Sequence, residues 1–418
     1  MGKGGLFQSR WWVVFASVFG LIGGGAMTVF VFSVFLRPLT ETFGWTRGEV
    51  SGALAASSLV GAITSPIVGK LIDSRGVRAV VLTAIVAFSI FTASVAFLAA
   101  SLAMLYGLYI LIGIAGAGQS PVPYSKAIAG WFDDKRGLAL GIAIAGSGVG
   151  TAVMPQLAQA LTTHFGWRAG YLGLAVAFFV VAFPIVALFL REPPAAEPGH
   201  AAIGLVPGVT MKEAARSWRF WILVVAFFLS VTPVNGVITQ AIALLGDRGM
   251  TVREAAAGLS TAGIVAIVSR LIAGLCLDRF HAPFVGVAFF GCSTVGVAML
   301  ALGATGTEAI AGAALCGVGI GAEVDLVAFL LTRYFGLRAF GTIYGYVFAV
   351  LPIGVGAGAA LMGATYDHAH SYQPMLVAFT IMLVAACALL ATLGPYAYPR
   401  VVGPEAAPSL RPLSVARD

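Results

Sequence analysis

The sequence predicts an all-α membrane protein whose twelve transmembrane helices form two six-helix bundles related by pseudo-two-fold symmetry. Three observations lead there. The chain is 59% hydrophobic and only 10% charged, with a mean hydropathy of +0.97, whereas soluble domains carry about 25% charged residues. Apolar runs of roughly 20 residues, each long enough to cross a bilayer, recur along its length. The two halves also repeat a pattern of caps and loop residues at a fixed offset.

The runs cover residues 11–36, 48–70, 79–101, 103–129, 137–163 and 169–190, and then 218–243, 255–277, 282–303, 307–332, 340–363 and 373–394. Arg191–Ser217 separates the two sets, and its Pro193, Pro194, Pro198 and Pro207 mark it as a linker. The expected organisation is a first bundle over 1–190, a cytoplasmic linker over 191–217, a second bundle over 218–399 and a cytoplasmic tail over 400–418. Basic residues set orientation. With the N-terminus inside, the outer loops hold Arg37, Arg47, Arg168, Arg248 and Arg253, and nearly all other Lys and Arg fall on the inner side. Both termini are therefore expected in the cytoplasm. The first run is long enough to span and lacks a small-residue cleavage site, so it does not read as a signal peptide.

The repeat is a helix pair with its following loop. At an offset of 205, Thr46 matches Thr251, Glu49 matches Glu254, Gly69 matches Gly274 and Asp73 matches Asp278. Parallel repeats of six helices about an axis along the membrane normal describe one transporter architecture, with the substrate site near the midplane. The 53 glycines fit close helix approach. Gly137-xxx-Gly141 and Gly146-xxx-Gly150 share one helix, and Gly354, Gly356 and Gly358 share another. The four cysteines, Cys276, Cys292, Cys316 and Cys387, have no metal-ligand spacing and are expected as free thiols. The histidines fall in loops, so neither a metal nor a cofactor is expected. The net charge of +7 is spread over short loops without a basic run, which gives no footprint for nucleic acid.

Arg270 stands inside the otherwise apolar stretch Leu259–Cys276. A guanidinium there costs about 2.5 kcal/mol or more on insertion scales, so it is expected to face a protein-lined cavity and bind an anion. Its planar fork fits a carboxylate bidentately and stays charged. Glu323 and Asp325 are the carboxylates deep in a span, at a depth similar to Arg270 when counted from the inner helix ends. Two residues apart is about 200° around a helix, so they cannot share a face. One is free to approach Arg270 while the other meets a neighbouring helix. Desolvation and the arginine pull such a carboxylate in opposite directions, which makes the pair candidate proton carriers, Glu323 first. Gln119, Tyr124, Asn235 and Gln240 are polar groups within spans, and Gln119 and Asn235 lead because Pro121, Pro123 and Pro233 are expected to break the helices beside them.

Gly69-Lys-Leu-Ile-Asp73-Ser-Arg75-Gly76-Val-Arg78 resembles the loop motif of the major facilitator superfamily, and Gly274-Leu-Cys-Leu-Asp278-Arg279 is a degenerate second copy. Trp131-Phe132-Asp133-Asp134-Lys135-Arg136-Gly137, Pro38 with Phe43-Gly44-Trp45-Thr46-Arg47, and the position of Arg270 resemble the monocarboxylate transporters and the oxalate/formate exchangers. The resemblance implies the major facilitator fold and Arg270 as the carboxylate-binding arginine. It also implies Phe30 and Phe348 as aromatic walls of the site, and Ile320 and Val324 as a substrate-facing stripe that Glu323 adjoins. Three departures bear on substrate. The second cation of the oxalate exchangers is replaced by Leu351. The acid one turn before the arginine in animal-type monocarboxylate transporters is Ala266, and Trp11–Leu36 carries no lysine. One cation suits one carboxylate.

Asp73, Arg75, Asp278 and Arg279 lie at inner helix ends, where salt bridges are expected to form a cytoplasmic latch favouring an outward-open state. The expected protein is a monomeric transporter in the inner membrane of a prokaryote, not an enzyme. It carries a lactate- or pyruvate-like monocarboxylate with a proton by alternating access. The alternatives are carboxylate exchange of the oxalate/formate type and, outside transport, a non-transporting membrane anion sensor.

Overall fold

A computed structural model describes residues 9–29, 31–192 and 208–398. Phe30, residues 193–207 of the linker and the expected tail lie outside the described residues. The helices are Trp11–Val29 (α1), Phe32–Phe43 (α2), Arg47–Arg75 (α3), Val77–Leu98 (α4), Leu102–Ala117 (α5), Pro121–Trp131 (α6), Arg136–Phe189 (α7), Met211–Arg216 (α8), Trp218–Thr239 (α9), Ala241–Gly246 (α10), Val252–Arg279 (α11), Ala282–Ala301 (α12), Gly306–Phe335 (α13), Phe340–Phe348 (α14), Val350–Ala369 (α15) and Gln373–Ala391 (α16). Ten apolar stretches among them are long enough to cross a membrane. The count of passes is twelve, because α7 contains two and α1 with α2, outside these ten, supplies one more. Gly166, at φ 83° and ψ 165°, is the non-helical joint inside the 54 residues of α7, and a residue with a Cβ is strained at that φ.

The caps explain the repeat. Thr46 and Thr251 each accept a bond from the backbone N–H of a glutamate three residues on, Glu49 at 3.2 Å and Glu254 at 3.3 Å. Each glutamate accepts the threonine N–H in return at 2.8 Å. The same capping box therefore starts α3 and α11, two orphan donors being satisfied at each.

Two helix breaks fall differently from the prolines. Pro121 opens α6 behind the Ser120 cap, so the chain is interrupted beside Gln119. Pro233, by contrast, lies inside an unbroken α9, and the interruption comes at Gln240. A proline removes one helical donor, and packed neighbours tolerate that in a spanning helix. Within the linker, residues 210–216 carry a capping box between Thr210 and Glu213 and form the short α8.

Large apolar side chains such as Leu59, Ile63, Ile67, Leu188, Ile264 and Ile381 are exposed. In an integral membrane protein these are the lipid-facing surface. Association between helices then rests on close packing more than on hydrophobic burial. The halves meet along α3 with α14 and α7 with α11, at the end of the bundle that carries the basic loops (the basic end below). A Cβ placed on Gly341 would lie 2.6 Å from the Gly69 carbonyl oxygen, and one on Gly274 would lie 2.6 Å from that of Gly137. Each crossing thus needs glycine on both helices.

Candidate functional site

Arg270 projects from α11 toward both halves. Its Nε donates to the Gly321 carbonyl of α13 at 3.3 Å, and its Nη1 donates to the Ile144 carbonyl of α7 at 3.2 Å. The Ile144 bond crosses between the bundles. Helical carbonyls are already engaged in their own ladders, so these bonds position the guanidinium without neutralising it. Asp325 Oδ2 lies 3.9 Å from Arg270 Nε, with the two side chains 0% and 12% exposed. Both carboxylate oxygens of Asp325 are buried without a hydrogen-bond donor. Glu323, on another side of α13, is half-buried. It forms no hydrogen bond or ion pair among the described residues.

Tyr344 of α14, fully buried, stands between this cluster and Phe348. Its hydroxyl donates to the Val324 carbonyl at 3.3 Å, between the two acids in sequence. Its ring meets Phe348 edge-on, with centroids 5.8 Å apart. Phe348 and Pro352 in turn line a cavity of about 180 Å³ between the halves, facing Ser57, Ser58, Ser65 and Ser120 on α3 and beside α6. A hydroxyl-rich wall opposite an aromatic one suits a small polar molecule with an apolar body.

Gln119, Tyr124 and Asn235, the other polar side chains named from sequence, bond to groups other than Arg270. Tyr124 donates to Gln119 Oε1 at 2.9 Å, and Gln119 Nε2 donates to the Val81 carbonyl at 3.2 Å. Both side chains are fully buried in the first half, where their polar atoms are occupied by this pairing. Asn235 turns its amide onto the Val231 carbonyl of its own helix at 3.0 Å. Phe30 is outside the described residues. Tyr344 and the serines went unnamed as site residues in the sequence reading, because hydroxyls in spanning helices commonly bond backbone carbonyls and carry no distinctive signal.

The basic end is closed by a different chemistry from the expected salt bridges. Asp73 accepts the N–H groups of Gly341 at 2.9 Å and Thr342 at 2.7 Å, so it caps the start of α14 from the other half. Asp278 does the same for α7, accepting Gly137 N–H at 2.8 Å and Leu138 N–H at 2.9 Å. The first helical N–H groups lack intrahelical acceptors and carry the positive end of the dipole, so a carboxylate satisfies both. The ion partner of Asp73 is Lys126 of its own half, at 2.8 Å. Arg75 and Arg279 contribute to neither cap. An ion pair does cross the halves, but elsewhere. Arg333 of α13 reaches Asp133 Oδ1 at 2.9 Å, and Arg136 approaches the same oxygen to 3.2 Å. Arg136 also donates to Thr332 Oγ1 at 2.9 Å.

Two six-helix halves joined at the basic end, with a cavity between them and a buried cation on α11, have the architecture of a secondary transporter. The Major Facilitator Superfamily model matches residues 14–351, and the chain belongs to that family. An MFS transporter of Aspergillus flavus, asaE, is 28% identical over 339 residues, covering 78% of this chain and 73% of its own. Monocarboxylate transporter 13 of Bos taurus is 27% identical over 370 residues, covering 87% of this chain and 84% of its own. Among solved structures, the E. coli fucose:proton symporter FucP superposes with a TM-score of 0.73 at 13% identity, over 92% of this chain and 98% of that one. At that identity the likeness concerns the fold.

Proposed function

We propose that this major facilitator transporter carries a small monocarboxylate, of the size of lactate or pyruvate, together with a proton. The observation that carries the reading is Arg270, a mostly buried guanidinium held by two neutral carbonyls with a single carboxylate at 3.9 Å. An arriving carboxylate would take the bidentate fork. Its apolar body would face Phe348, and its polar substituents would face the serine wall. Glu323, the more accessible acid, would take the proton as the anion engages Arg270, making the combined movement electroneutral. Asp325 would serve as the counter-ion of the empty site. The halves would then rock about this level, with the basic end, assigned to the cytoplasm by charge bias, opening as the caps release. The similarity to monocarboxylate transporters supports the substrate class.

Uptake of labelled L-lactate into liposomes holding the purified protein tests this. Acidifying the outside should produce an overshoot that a protonophore collapses. Uptake that ignores the gradient but requires preloaded anion would replace symport with exchange of the oxalate/formate type. Saturable binding without flux would make the protein a sensor.

A further inference from the structure

We propose that a lateral groove in the first half binds one acyl chain of an anionic phospholipid, with Arg75 on the headgroup phosphate. The groove has a volume of about 400 Å³ and runs between α3 and α4 over a floor from α5. Ile67 and Leu71 form one wall, Thr83, Ala87 and Phe91 the other, and Gly118 lies on the floor. From Thr64 to Arg75 the groove follows eleven residues of helix, about 16 Å at 1.5 Å per residue. One leaflet's hydrocarbon is about 15 Å deep, half of the ~30 Å core. The groove therefore starts at the basic end and stops near the middle of the bilayer, which is the extent of one acyl chain.

Arg75 supplies the polar end. It is exposed on the last turn of α3 and lines the groove mouth. It makes no hydrogen bond or ion pair among the described residues. Asp73, two residues earlier, is fully engaged in capping α14, and Arg78 donates to the Ala187 carbonyl at 2.6 Å. Arg75 is thus the cation at this mouth left for an outside partner. The groove faces lipid, so its occupant comes from the bilayer, and a single cation at the headgroup level favours an anionic lipid. Because α3 also forms the crossing with α14, an occupied groove would brace the helix that carries the Asp73 cap.

The test is native mass spectrometry of the purified chain equilibrated with phosphatidylglycerol and phosphatidylcholine of identical acyl chains. One bound phosphatidylglycerol should be retained about fivefold over phosphatidylcholine, the factor expected of one cation near an anionic surface. Inorganic phosphate at millimolar concentration should not displace it. Arg75→Gln should erase the preference, and Arg75→Lys should keep it. Thr83→Phe, which fills the groove from an exposed position, should lower retention of both lipids. Arg216→Gln, a basic-end change outside the groove, should alter nothing. Thermal unfolding of each variant checks its fold. An unchanged preference in Arg75→Gln, unchanged retention in Thr83→Phe, or displacement by inorganic phosphate would overturn the proposal.

Discussion

The carboxylates of the basic end and those of the bundle centre are treated in opposite ways. Asp73 and Asp278 each receive two backbone donors from the opposite half. Asp325 receives none, and its nearest cation stands 3.9 Å away. A satisfied carboxylate fixes a conformation, because moving it exposes both itself and the helix end it caps. A buried carboxylate without donors is costly and leans on the one cation beside it, so the pair has no second partner to hold it when that cation is engaged elsewhere. The basic end is thus held by satisfied caps, whereas the centre holds a charge pair with no further partner, where on the proposed function anion and proton would exchange.

Substitutions at the two levels should separate these roles. Arg270→Gln should produce the largest effect, a loss of L-lactate binding of about 30-fold or more, since truncating one partner of a buried charge pair costs ~2–5 kcal/mol. Titration calorimetry of the purified variant reads it, and normal binding would remove the proposed site. Gly274→Val comes next. Its side chain would meet the Gly137 carbonyl and should force the basic end apart, with an overpacking cost of about 1–3 kcal/mol. A cysteine placed at Ser120, in a background without the native cysteines, should then label faster from the basic side. Asp73→Asn should act in the same direction but more weakly, by roughly fivefold in labelling rate, because an N-terminal cap contributes about 1 kcal/mol. Its L-lactate affinity should stay near that of the unmodified protein. Equal losses of binding in the basic-end and centre variants would break the distinction.

The smallest effect belongs to Arg10–Asp134, an exposed pair at 2.7 Å that ties Arg10 to the loop between α6 and α7. Its removal by Arg10→Gln should shift thermal stability by no more than about 1 kcal/mol. The hydrogen bond from Arg10 holds the Asp134 carboxyl below its ordinary range. A depressed carboxylate contributes its stability in full above its unfolded value, about 3.9, and loses it as pH falls through the lower folded value. The pair is therefore intact across pH 6–8, and any pH dependence of uptake in that window arises elsewhere. Equal pH profiles for Arg10→Gln and the unmodified protein would agree with this.

Much of this architecture was legible in the sequence because the bilayer imposes length and apolarity on every pass. The repeat was legible because identical capping boxes need identical residue types at Thr46–Glu49 and Thr251–Glu254. The shared depth of Arg270 and the two acids also followed from helical rise alone. Their azimuth did not. Spanning helices are apolar all round, so no polar face indicates that Asp325 rather than Glu323 approaches Arg270. The caps formed by Asp73 and Asp278 were hidden for another reason. Their partners are backbone N–H groups, which every residue but proline possesses, so sequence suggested the nearby arginines instead. Asp133 and Arg333 lie 200 residues apart, and only the packing of α13 against the α6–α7 loop brings them together.

Simultaneous recording of proton and L-lactate entry into liposomes, with a pH-sensitive dye in the lumen, tests the central claim most directly. The unmodified protein should admit one proton with each anion. Glu323→Gln should retain lactate exchange between preloaded and external pools while proton entry and gradient-driven accumulation disappear. Undiminished proton entry with Glu323→Gln, or lactate entry without protons in the unmodified protein, would contradict the account.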